Sequence, residues 1–255
     1  DPRQKDRALI KLIEWENPSS AIVFANTRRE VDYLSTFLSN YGYSAAAISS
    51  DLTQKAREEV MGRLRSGELR FLVATDVAAR GIDVEDLSHV FHYDVPQDPE
   101  YYVHRSGRTA RAGKAGVSIS LMTATDGPAL RTIARRYSIP LEEMEVPTEA
   151  QLAERVSERI TTILEDDMRD RTRLERERQA RFIPVVQRLV AEGEPEILAM
   201  LLDGVYQQSL QTARRERVAA RAEDGNGSAE ESASEEAPKK KRKSRKKSDT
   251  NGQDA

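Results

Sequence analysis

Apolar and polar positions in the first part of the chain follow two alternating patterns. Strand-like runs rich in apolar residues at 21–24, 44–48, 71–74, 89–93 and 117–122 have the length of buried strands. Between them apolar residues recur three and four apart, as in Val31, Leu34, Phe37 and Leu38, the spacing of a helix with one buried face. Thr27 followed three residues later by Glu30 is a capping-box signal, so this helix should start directly after the first run. Leu9, Ile10, Leu12 and Ile13 place another helix before that run. Strands alternating with helices over residues 3–146 predict an α/β domain on a mainly parallel sheet. The loop at residues 25–27 then sits at a strand's carboxyl end, the edge where open α/β sheets bind ligands.

After Pro147 the strand-like runs stop. Leu152, Val156, Ile160, Ile163 and Leu164 form one helical stripe, and a highly charged stretch follows to residue 181. Two short apolar segments come next, at 182–191 and 195–210. Pro195 suits a helix's first turn, and Ile197, Leu198, Leu201, Leu202 and Val205 form a second stripe. Beyond Arg221 the chain turns to Gly, Ser, Ala and charge, acidic at 223–236 and basic at 239–247, with too little apolar surface to offset its ordering entropy. The expected organisation is an α/β domain at 1–147, an all-α extension at 148–222 and a disordered tail at 223–255.

Composition narrows the chemistry. The 255 residues include 40 basic and 43 acidic side chains, so the near-neutral total leaves local charge to decide about nucleic acid. No cysteine is present, which removes disulfides, thiolate metal sites and cysteine nucleophiles. His89, His92 and His104 form no ligand pattern, and no metal site is expected; His89 and His92 read as structural strand residues. No apolar run reaches the roughly 20 residues a membrane span needs. The expectation is a soluble, cytoplasmic protein, and a chain opening at Asp1 without methionine reads as a piece of a longer one.

Two stretches carry chemistry. His104-Arg105-Ser106-Gly107-Arg108-Thr109-Ala110-Arg111-Ala112-Gly113 sets Arg108 and Arg111 three apart, so that on a helix or tight turn both guanidinium groups project to one side. Fixed forks of donors suit the spread charge of a phosphoryl group in transfer, although an isolated pair of this kind is ordinarily a solvated basic face. Leu72–Val84, LVATDVAARGIDV, is a strand ending in Thr75-Asp76 that enters a small-residue turn with Arg80, Gly81 and Asp83. Its alanines and glycine allow close backbone approach, and the Asp83 carboxylate is of the kind that accepts ribose hydroxyls. Tyr101 and Tyr102 just before the first stretch are expected to pack its helix, with room for one to border a cleft. Trp15 reads as core or helix packing.

Together these stretches resemble motifs V and VI of the DEAD-box helicases. IVFANTR at 22–28 resembles motif IV, QKAR at 54–57 matches the family's Q-x-x-R, and HYDVPQDPEYYVHR fits the connection between motifs V and VI. The resemblance covers residues 3–144 and implies a RecA-like parallel sheet flanked by helices, with ATP as cofactor and RNA as partner. It implies that Asp83 contacts the ATP ribose, with Arg80 and Gly81 in the same nucleotide-binding turn. Arg108 and Arg111 would be arginine fingers on the phosphates, and His104 would link ATP to the RNA side. Arg28, Asp51, Gln54, Arg57 and Thr75 would meet the RNA backbone. Two departures stand out: Ser49-Ser50-Asp51 where many relatives read His-Gly-Asp, and Ala110 in place of a common glycine.

Neither a G-x-x-x-x-G-K-[ST] phosphate loop nor an Asp-Glu-Ala-Asp box occurs in the sequence. The chain alone is therefore expected to be inactive, with Mg2+ and the phosphates held by a preceding RecA-like domain. An RNA-binding or dimerisation module without ATP turnover, and a DNA helicase of the same superfamily, are the alternatives. The late Leu-rich segment is similar to the dimerisation region of bacterial cold-shock DEAD-box helicases, which implies a homodimer through 148–210.

Overall fold

The computed structural model describes residues 2–80, 87–110 and 116–209. Gly81, Asp83, Arg111 and the tail at 223–255 lie outside the described residues.

Five parallel strands form the centre, β1 (Ala21–Phe24), β2 (Ala45–Ile48), β3 (Phe71–Ala74), β4 (His89–His92) and β5 (Val117–Ser120), in the order β2-β3-β1-β4-β5. Ala21 stands level with Phe71 on one side and His89 on the other, so the three central strands end at the same height. Each strand occupies a run read from the sequence. Three are shorter than expected: β4 and β5 stop where the chain turns into the carboxyl-edge loops, and β2 starts one residue late, at Ala45; Tyr93 still bonds to the Phe24 carbonyl at 2.9 Å.

Side-chain alternation builds a core on each face of the sheet. Ala21, Val23, Phe71, Val73 and Phe91 meet Leu9, Leu12 and Ile13 of α1 (Pro2–Glu16) and Val31, Leu34 and Leu38 of α2 (Arg28–Asn40). Ile22, Phe24, Leu72, Ala74 and Val90 meet Met61 and Leu64 of α3 (Gln54–Arg65) and Ala78 and Ala79 of the short α4 (Asp76–Ala79). Tyr102 of α5 (Pro99–Ser106) packs with Leu130 and Ile133 of α6 (Gly127–Tyr137) in a smaller third cluster. The capping box read at Thr27 and Glu30 is formed and starts α2 directly after the β1 loop.

The extension is helical: α7 (Glu149–Asp170), α8 (Arg173–Ala180), α9 (Ile183–Ala191) and a further helix at residues 195–209. The first expected stripe packs in cis. Leu152 is buried, and Val156, Ile160, Ile163 and Leu164 are partly covered. On α7, Arg159 donates to the Glu14 and Trp15 carbonyls at 2.6 and 2.5 Å, closing the last turn of α1, while the Arg155 guanidinium lies over the Trp15 ring. Trp15 is thus helix packing, as its sequence position implied. The second stripe stays in solvent: Leu201, Leu202 and Val205 are exposed, while Tyr206 on the same helix is buried. No described helix is long and apolar enough to cross a membrane.

Candidate functional site

The carboxyl ends of β1, β3 and β4 converge on a cleft lined by Phe24, Asp76, Arg80, Tyr101, His104 and Arg108, with Arg105 at its base. Asp98 caps α5 by accepting the Glu100 amide at 2.9 Å, with Pro99 in the first turn. The helix therefore starts beside the cleft and sets Tyr101, His104 and Arg105, three and four residues apart, along one side. It ends at Ser106, with Gly107 as its cap, so Arg108 reaches the same cleft from the turn that follows.

Arg105 fixes the floor. It is 1% exposed and pairs with both Asp76 oxygens, Nε to Oδ1 at 2.6 Å and Nη2 to Oδ2 at 2.7 Å. It also donates to the Asp94 carbonyl at 2.7 Å and to Asn26 Oδ1 at 2.9 Å, and its guanidinium lies over the Phe24 ring. One side chain thus ties together the loops after β1, β3 and β4. Sequence reading missed it. The available signal was its spacing from Tyr102, which puts both on the inward side of α5, where a buried arginine requires an acid such as Asp76.

On the opposite wall Arg80, the first residue past α4, donates from Nη2 to the Tyr101 hydroxyl at 2.7 Å, with its guanidinium over the Tyr101 ring. His104 is exposed, with Nε2 3.4 Å from Glu100 Oε1 one turn earlier. The turn carrying Arg108 is held from behind. The Thr109 hydroxyl donates to the Leu87 carbonyl, and Leu87 N donates to the Arg108 carbonyl at 3.2 Å. Ala110 has φ +58°, the left-handed region that costs an alanine about 1 kcal/mol more than a glycine, so this departure from the common pattern falls where glycine fits best. Gly116 passes so close that a Cβ there would lie 2.6 Å from the Ala110 nitrogen and against the Thr109 hydroxyl.

Behind α5, His92 is fully buried, with Nε2 3.2 Å from Ser106 Oγ and 3.1 Å from Ser118 Oγ and its ring stacked on Tyr102. Burial, with Arg105 nearby, pushes its pKa down to about 3. His89 is likewise lowered by burial and faces Glu16 and Ser88. Both are packing residues, as the strand pattern implied.

Residues 4–113 match the family described as the helicase conserved C-terminal domain. The DEAD-box ATP-dependent RNA helicase CshA of Bacillus cereus is 44% identical over 146 residues, covering 57% of this chain and 28% of that protein. CshA of Bacillus subtilis is 42% identical over 171 residues, covering 65% and 35%. The E. coli DEAD-box protein SrmB, solved bound to the regulator of ribonuclease activity A, superposes with a TM-score of 0.53 at 38% identity, covering 60% of this chain and 88% of that one. The C-terminal domain of the DEAD-box protein Dbp5 superposes at 0.54 and 30% identity, covering 62% and 91%. This chain belongs to the DEAD-box helicase family. It carries the C-terminal helicase domain and spans about a third of the length of the curated relatives it matches.

The residues expected to meet RNA lie beyond the cleft, at and after the loops that follow β1, β2 and β3. Arg28 Nη1 reaches both oxygens of Asp51 at 2.7 Å, an exposed ion pair joining the starts of α2 and α3. Gln54 bonds to Glu58 at 2.9 Å within α3. Arg57 donates to the Ala78 carbonyl, and Thr75 caps α4 by accepting the Ala78 amide at 3.4 Å. Arg57 and Thr75 thereby hold α4, and Arg28 and Asp51 present a cation and an anion to solvent. Of the residues expected at nucleotide, Arg80, His104 and Arg108 share the cleft.

Proposed function

We propose that the chain is the C-terminal half of an ATP-dependent RNA helicase that unwinds or remodels RNA duplexes by closing against a preceding RecA-like domain. The carrying observation is the cleft, in which Arg80, His104 and Arg108 meet on a floor pinned by Arg105. Three basic side chains around one opening suit a polyphosphate. In this reading Arg108 stabilises charge on the transferred phosphoryl group and Arg111 and Asp83 complete the site, on the phosphates and the ribose. ATP supplies the phosphoryl group, with Mg2+ held by the preceding domain; among the described residues no acidic and histidine side chains gather into a metal-binding group. Arg28, Asp51, Gln54, Arg57 and Thr75 line the RNA-facing loops. Measuring ATP hydrolysis by the intact protein with RNA and with DNA of the same sequence tests the assignment. Strong stimulation by RNA and little by DNA is expected; equal stimulation would favour the DNA helicase alternative, and none by either the binding-module one.

The exposed Leu201, Leu202 and Val205 support a second element of the proposal, a homodimer through the 195–209 helix, since an apolar stripe left in solvent marks a contact surface.

A further inference from the structure

We propose that Tyr101 is a phosphate-recognition residue of the cleft, acting with Arg80 as a composite anion site; the inference rests on the reading that this cleft takes phosphates. Arg80 is exposed at the end of a four-residue helix, where a free arginine samples many rotamers and loses up to about 2 kcal/mol of entropy on being held. Here it is already held. Its Nη2 donates to the Tyr101 hydroxyl at 2.7 Å, and its guanidinium carbon is 4.9 Å from the centre of the same ring. A tyrosine is a stiff platform, and Tyr101 sits in the capped first turn of α5, with its amide donating to the Asp98 carbonyl at 3.1 Å.

The chemistry of the pair matters as much as its rigidity. Two charged side chains of the cleft face a group of opposite sign: Asp76 pairs with Arg105, and Glu100 lies 3.4 Å from His104. Among the described residues Arg80 has a neutral partner, Tyr101, which leaves its positive charge unmatched there. The Tyr101 oxygen accepts from a cation, which strengthens its own O–H as a donor, and among the described residues that proton has no acceptor. A guanidinium fork and a polarised hydroxyl side by side offer donors only, the complement of a phosphate end.

The test is an NMR titration of the full 255-residue chain with inorganic tripolyphosphate, following arginine Nε–Hε signals, for wild type, Tyr101→Phe, Arg80→Ala, the double variant and Arg108→Ala. Phenylalanine keeps the ring and removes the hydroxyl. Losing one charge-assisted contact should weaken tripolyphosphate by roughly three- to tenfold, with the melting temperature unchanged because Arg80 is exposed and phenylalanine keeps the half-buried ring. In the Arg80→Ala background the same change should have little further effect. Weakening by Arg108→Ala but not by Tyr101→Phe overturns the role of Tyr101 and leaves the phosphate cleft standing. Weakening by Tyr101→Phe but not by Arg108→Ala supports the Tyr101 site and counts against Arg108 as a phosphate ligand. Unchanged binding in both variants overturns both, and a loss in Tyr101→Phe matched by a lower melting temperature assigns the residue to packing.

Discussion

Arg105 and Arg108 lie three residues apart and sit in different surroundings, one buried and one half-buried at the cleft. Arg105 is buried with its charge matched to Asp76, so Arg105→Ala strands a carboxylate against the core and should cost about 3 kcal/mol or more of stability. Chemical denaturation checks this; a variant as stable as wild type would mean that the Asp76 pair is not structural. His92 gives a second residue-scale prediction. Its pKa lies near 3 in the fold against about 6.5 when unfolded, so the unfolded chain binds more protons between those values. Stability is therefore full above about pH 6.5 and falls as pH drops towards 3, by up to about 1.4 kcal/mol per unit for this group. Urea midpoints at pH 7 and pH 5 should differ clearly in wild type. The difference should shrink in His92→Gln to what His89, shifted in the same direction, contributes; an unchanged difference would exclude His92 as the cause. Individual placements were partly legible in the sequence. The resemblance named Arg80, His104 and Arg108, but sequence spacing cannot distinguish a buried guanidinium from an exposed one, and the Arg80–Tyr101 pair joins residues from two elements.

At the scale of elements the sequence was most informative where periodicity was strong. Every strand falls on a run read from the sequence, most plainly the fully buried β1, β3 and β4, and α2 begins at the Thr27 cap, because buried strands and capped amphipathic helices leave distinct patterns. Less legible was where α7 packs. Its stripe predicts a partner without naming it, and the structure supplies α1, through Leu152, the Arg155–Trp15 contact and the two bonds from Arg159 to α1 carbonyls. Helix ends leave carbonyls without intrahelical partners, and an arginine from a neighbouring helix satisfies two of them here. Arg159→Ala should lower stability by about 1–2 kcal/mol and raise hydrogen exchange in the last turn of α1 and along α7 together. Exchange raised in α7 alone would show that the two helices are not coupled.

At the scale of the whole molecule, an apolar face on the extension and a charged one at the sheet's carboxyl edge stay open among the described residues. The apolar face predicts self-association: sedimentation of the chain at micromolar concentration should show a dimer that Leu201→Glu dissociates, and a monomer at all concentrations would remove the homodimer from the account. Whole-protein chemistry was legible only through the motif resemblance, since the sequence contains neither a G-x-x-x-x-G-K-[ST] loop nor an Asp-Glu-Ala-Asp box. The charged face carries the central claim, that this cleft completes an ATPase across a domain interface. RNA-stimulated ATP hydrolysis by the intact protein with Arg108→Ala measures it most directly. Turnover should fall by about 10²-fold or more at saturating RNA, with an unchanged melting temperature and unchanged RNA affinity in the absence of nucleotide. Near-normal turnover in a folded Arg108→Ala protein would contradict the account.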